Sequence, residues 1–213
     1  MREYVEAFWI CYITGHANFM AVKDMISVLP VIESQRKLLE GICDEFDRAI
    51  VLIESLEDEA YAGTLSDKGS TGAHFRHNMD IVSNLLEGLE AGSIDYESRD
   101  RDERVEKSRQ FAVERIEQLI SRLKKLPSAV LETMIAVRSE IDPGVSHLSS
   151  VARELEFIHS HTVHHHAMIA EKLRLSGVDV PSDFGVAPST LRFWNQQSSR
   201  FPDQLFQVRP GNR

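Results

Sequence analysis

Cysteine is nearly absent from this chain, with only Cys11 and Cys43. Two thiols in that arrangement make neither a disulfide framework nor a zinc ribbon, and they point to a reducing compartment. Proline is missing from residues 31–126 and again from 144–180, so both stretches are free to form long helices. No apolar run approaches the roughly 20 residues that span a bilayer. The apolar segment Ala7 to Tyr12 follows Glu3 and Glu6, whereas a signal peptide opens with basic residues. A cytoplasmic protein with no membrane contact is therefore expected. Excess positive charge is also lacking: 24 Lys and Arg stand against 33 Asp and Glu, for a net charge of −9. That balance excludes nonspecific nucleic-acid binding, which needs cations to neutralise phosphates. There is no HExxH, no glycine-rich phosphate loop and no GxSxG. Only Glu156 to His159 fits Glu-x-x-His, where a di-iron bundle needs two such units.

What the chain does have is helical periodicity. Leu38, Leu39, Ile42, Phe46, Ala49, Ile50 and Ile53 recur in steps of three and four, predicting a helix from about Glu33 to Ala60. The stretch Gly63 to Gly69 carries turn chemistry, after which Ser70 or Thr71 caps a second helix to about Glu90. Val105, Ala112, Ile116, Leu119, Leu123 and Leu126 mark a third, from about Glu103 to Lys125. Val151, Leu155, Ile158, Met168 and Ile169 mark a fourth, from about Ser150 to Leu175. Residues 129–137 are poorly periodic and read as extended. The fold class expected is all-α, an antiparallel four-helix bundle over residues 31–180. Residues 1–30 read as an irregular N-terminal extension. Residues 181–213 read as an irregular tail, with Phe184, Leu191, Phe193, Trp194 and Phe206 docking it on the bundle.

Nine histidines stand out by placement. Five fall between His159 and His166, and His74 and His77 sit early in the second helix. His161 and His165 are one turn apart on a largely apolar face. Two imidazoles at that spacing share a metal ion at about 2.0–2.1 Å, and a third donor must come from another helix. His74 and His77 both qualify, three apart. Three imidazoles with an open fourth position suit catalysis, since the ion acidifies a bound water or thiol. His159, His164 and His166 read as surface or outer groups, and His16 and His147 have no assigned partner.

These residues resemble the DinB/YfiT-like superfamily of four-helix bundles, over about Ser34 to Arg192. The matching pieces are His77 within AHFRH and the HTVHH run of His161 to His165. SIDYESRDRDERVE, RELEFIHSHTVHHHAMIA and VPSDFGVAPSTLR look like one bacterial subgroup of that family. The Gly-Gln that commonly follows the histidine run is replaced here by Ala167-Met168. The resemblance implies His77, His161 and His165 as ligands of a divalent metal, zinc or nickel first and iron next, with His74 the alternative to His77. It further implies a metalloenzyme of the thiol-transferase type, with a low-molecular-weight thiol as co-substrate and a small-molecule electrophile. Glu154 is the acidic group nearest the histidines along the fourth helix. Tyr96 and one arginine of the following charged segment are expected at the cleft mouth, where an arginine forks onto a substrate carboxylate. Two rival readings are a metal-binding bundle without catalysis and a metal-free interaction protein that forms a homodimer through the first helix.

Overall fold

The computed structural model describes residues 19–63 and 69–200. The start of the expected N-terminal extension with Cys11 and His16, the middle of the turn after Gly63, and the end of the tail with Phe206 lie outside the described residues. Four long helices carry the fold: α1 (Phe19–Ser55), α3 (Thr71–Ala91), α5 (Arg109–Lys124) and α7 (Val151–Leu175). Short helices α2 (Asp58–Ala62), α4 (Glu103–Lys107), α6 (Ser128–Leu131) and a terminal α8 (Pro188–Arg200) complete the helical part. Helix α1 packs on α5 and α7, and α3 packs on the same two.

The periodic apolar residues explain that packing. Ile42, Phe46 and Ile53 of α1 have no exposed surface, nor do Val82 and Leu85 of α3. Ile116, Leu119 and Leu123 of α5 meet Leu155, Ile158 and Leu173 of α7 in the same core. Burial of each such side chain stabilises the fold by roughly 1.5–3 kcal/mol before entropy is counted.

Helix ends follow local chemistry. Ser70 Oγ accepts from the Ala73 N–H, and Ser150 Oγ accepts from the Arg153 N–H. Each satisfies one of the donors a helix start leaves free. Gly92 closes α3 with φ of 83°, a left-handed conformation that costs glycine little.

Four expectations are corrected, the first being the irregular tail of residues 181–213, which carries helix α8 (Pro188–Arg200). Helix α1 begins at Phe19 and continues through Pro30, rather than starting near residue 33. The third helix is two, α4 and α5, because Ser108 leaves helical geometry (φ −126°, ψ 112°) and caps α5 through the Phe111 N–H. The chain is predominantly helical but not purely so. A three-stranded sheet joins β1 (Ser93–Ile94) parallel to β2 (Met134–Arg138), and β2 antiparallel to β3 (Ser146–Ser150). Ile94 and Ile135 bury the inner face of that sheet. In the tail, Phe184 is buried on the helices, while Phe193 and Trp194 stay about half exposed. Among the described residues, no helix is long and apolar enough to cross a membrane.

Candidate metal centre

The sheet matters because it anchors the segment that crosses the histidines. β1 is held by β2, and Asp95 pairs with Arg138 of β2 at 2.7 Å. The chain leaving β1 therefore passes over the junction of α3 and α7, carrying Tyr96 and Arg99.

At that junction, the first turns of α3 and the middle of α7 face each other. His77, His161 and His165 each place one ring nitrogen within 4.8 Å of the others. Their ring centroids are 4.6 to 4.9 Å apart. His77 Nε2 lies 3.3 Å from His161 Nε2. Two nitrogens bound tetrahedrally to one ion at 2.0–2.1 Å would stand about 3.4 Å apart, so the donor set has nearly that spacing. His161 Nδ1 is buried and has no hydrogen-bond partner. No neighbour competes for that nitrogen, and Nε2 is the atom turned toward His77. The three imidazoles fit a borderline divalent ion such as zinc or nickel.

His74 stands outside this triangle. Its Nδ1 is 3.1 Å from His165 Nδ1, so one ring donates to the other. With His165 Nδ1 engaged there, its Nε2 is the atom left to face the triad. His74 is thus placed to orient His165 by accepting its Nδ1–H, the place a carboxylate, carbonyl or water usually takes beside a metal-binding histidine.

All four rings favour the neutral form. Burial pushes His77 down to about 4, assisted by His161 and Arg99. Burial likewise pushes His165 down to about 3, with His161 and His77 adding to it. Burial lowers His74 and His161 as well. Neutral imidazole is the form that donates a lone pair.

Glu154 and Tyr96 are brought to each other rather than to the histidines. Tyr96 Oη donates to Glu154 Oε2 at 2.9 Å, and Ser149 Oγ donates to Glu154 Oε1 at 2.5 Å. Phe157 fills the space between, its ring 5.4 Å from Tyr96 and 5.6 Å from His161. Glu154 precedes His161 by two helical turns, and a phenyl group occupies the turn between. Desolvation, then the Glu154 charge, raises the Tyr96 phenol far above its ordinary value.

Of the arginines in the charged segment after Tyr96, Arg99 is the one bonded to the triad. Its Nη1 donates to His77 Nδ1 at 2.7 Å, and its Nε is buried without a partner. Beyond it lies a cavity of about 650 Å³ whose lining includes Asp80, Asn84, Arg99 and Arg115. Sequence periodicity did not single out Arg99, because seven charged neighbours of both signs surround it from Asp95 to Arg104.

His166 is a correction: it is fully buried, not a surface or outer group of the triad. Its Nδ1 donates to Glu45 Oε2 of α1 at 2.9 Å, and Phe184 stacks on its ring at 4.6 Å. Burial holds His166 neutral, while the bond from His166 and the nearby Arg48 keep Glu45 ionised. His164 is exposed and His159 half-buried.

No family model matches the chain. No solved structure matches it either. A protein of Rhizopus delemar named FK506-binding protein 5 is 35% identical over 108 residues. Those residues are 49% of this chain and 28% of that protein, so the match spans less than a third of the relative's length.

Proposed function

We propose that the chain is a DinB/YfiT-like antiparallel four-helix bundle that binds a divalent metal through His77, His161 and His165, and that it is a metal-dependent enzyme of the thiol-transferase type. The observation that carries this reading is the approach of three neutral ring nitrogens, from two helices, to within 4.8 Å. Zinc or nickel suits three imidazoles, and iron is the next choice. A bound ion would supply Lewis acidity and hold a small thiol as the nucleophilic thiolate. The chain's own residues orient and exclude. His74 fixes the His165 tautomer, Phe157 walls one side of His161, and Arg99 stands over His77.

A second reading, a metal-binding or interaction bundle without catalysis, is favoured by one observation. Glu154, the acid expected nearest the histidines, is bound by Tyr96 and Ser149 and has no contact with the triad. Thiolate delivery needs no such base, so we hold to the enzyme reading. The partners are then a small-molecule electrophile and a low-molecular-weight thiol in the cytoplasm.

Elemental analysis of protein purified without chelator tests the metal. About one equivalent is expected in the wild type, and less than about 0.2 in His161→Ala, because two remaining imidazoles hold a divalent ion poorly. A wild-type chain as empty as the variant would refute the metal reading. Thiol conjugation of an electrophile such as 1-chloro-2,4-dinitrobenzene, lost in His165→Ala, separates the enzyme from the non-catalytic bundle.

A further inference from the structure

Arg99 is out of place where it stands. A guanidinium presents five donors and no acceptor. Among the described residues one hydrogen bond, to a neutral imidazole, engages it, and its Nε is buried and unpartnered. Nearby arginines are matched to carboxylates: Arg76 to Asp80 and Glu106, Arg104 to Asp102, Arg138 to Asp95. Arg99 has no carboxylate within ion-pair distance among the described residues, and with Arg115 it forms part of the wall of the 650 Å³ cavity, where Asp80 and Asp102 are paired with Arg76 and Arg104 and the carboxylates of Glu87 and Asp100 also line the wall. A half-buried cation with spare donors facing a cavity is a site that accepts an anion.

Its present bond also conflicts with the ligand role of His77. Because Arg99 Nη1 donates to His77 Nδ1, that nitrogen must carry the lone pair, and the ring proton must sit on Nε2. Nε2 then donates toward His161 Nε2, 3.3 Å away. A ligand needs the opposite tautomer, with the lone pair on Nε2 and the proton on Nδ1. In that tautomer Nδ1–H and the guanidinium N–H would point at each other across 2.7 Å, two donors with no acceptor between them.

We infer that Arg99 is a latch: it holds His77 in the non-ligating tautomer while the site is empty, and once His77 ligates it is released to bind the carboxylate of a small-molecule substrate in the adjoining cavity. This rests on the metal reading above and extends it to an order of events and a substrate class. The ring proton only changes nitrogens, so no net proton is gained or lost at His77. Loading frees Nη1 from His77 and leaves the whole guanidinium fork to the anion, so the loaded chain is the form that binds it more tightly.

Calorimetric zinc titrations and cobalt spectra of the full chain test both halves. Arg99→Met removes the latch and should bind zinc about tenfold more tightly, the scale of one hydrogen bond to a charged group. Acetate, as the carboxylate probe, should shift the visible spectrum of the cobalt-loaded wild type and bind the loaded Arg99→Met at least about tenfold more weakly. Arg99→Lys keeps the charge but loses the fork, and should fall between the two in acetate affinity, which guards against a misfolded Met variant. Imidazole ¹⁵N shifts of the metal-free wild type should report His77 protonated on Nε2, and this signature should be lost in Arg99→Met. Equal zinc affinity in wild type and Arg99→Met would overturn the latch while leaving the metal reading intact. Equal acetate affinity would overturn the carboxylate role. No zinc uptake by any variant would overturn the metal reading and the latch with it.

Discussion

His166 and Glu45 meet at 2.9 Å across the interface of α7 and α1, with the imidazole fully buried. The contact lies on the side of α7 away from the triad and ties that helix to its neighbour. Glu45→Ala leaves His166 Nδ1–H buried with no acceptor, and an orphaned buried donor costs about 1–3 kcal/mol. Glu45→Gln keeps an acceptor oxygen and should cost less. Urea unfolding at neutral pH is the measurement. Equal midpoints for wild type and Glu45→Ala would mean that the pair contributes nothing.

His74 and the three triad histidines should separate by magnitude. Removing His74 deletes an acceptor beside His165, and loss of such an outer partner typically weakens a metal about 10–100-fold. Removing His77, His161 or His165 deletes a donor outright and should weaken it further. Competition of each Ala variant against a zinc chelator ranks them. His74→Ala ranking with the weakest three would place it among the ligands, in place of the orienting role its 3.1 Å contact gives it.

Acid should destabilise the metal-free protein through the same rings. His77 and His165 are depressed by burial to about 4 and about 3 in the fold. Unfolded imidazoles titrate near 6.5. Between those values the unfolded chain binds more protons than the folded one, so stability falls as pH falls. The stability these rings contribute is complete above about 6.5, begins to fade there, and is lost on passing their folded values. In chelator, the urea midpoint should therefore drop from pH 7 to pH 4.5. Replacing both rings by Asn should flatten that slope. An unaltered slope would place the titration elsewhere.

The histidine face was legible because helical spacing is rigid: His161 and His165 are four apart and share a face wherever the helix packs. His166 departs from the expectation because the histidine run does not share one face. Five steps of about 100° turn it about 140° from His161, to the side that meets α1 rather than α3. The cap of α3 was legible as Ser70 or Thr71 because a hydroxyl before a periodic run can accept from the first free N–H groups, and Ser70 is the one that does so. The break at Ser108 was not, because Val105 and Ala112 continue one apolar stripe across it and both are buried. The extended reading of 129–137 fits Met134–Arg138, which is β2, but not Ser128–Leu131, which is helical, and the partners of β2 were hidden for a different reason. β1 has two residues and β3 is mostly exposed, too little alternation for a pattern to register. Pro30 suggested a boundary, since it lacks the N–H that continues a helical ladder, yet α1 runs through it. The position of Arg99 beside His77 depends on β1 pairing with β2 some forty residues later, which no local pattern encodes.

Gly185 holds the tail against α7. Its φ is 74°, and a Cβ there would lie 2.3 Å from the backbone nitrogen of Ala167. Alanine at this position faces two costs. The left-handed conformation costs a non-glycine residue roughly 1–2 kcal/mol, and the contact is with helical backbone, which has no rotamer to change. The segment must therefore lift, taking Phe184 off the His166 ring it stacks on at 4.6 Å. Gly185→Ala should lose about 2 kcal/mol or more, a severe effect for one methyl group. Trypsin gives an independent readout. Arg174 Nη2 donates to the carbonyl of Pro181 at 2.7 Å, so a lifted segment should free Arg174 and speed cleavage after it. A variant with wild-type melting and an unchanged digestion rate would show that the tail tolerates the methyl group and does not clamp α7.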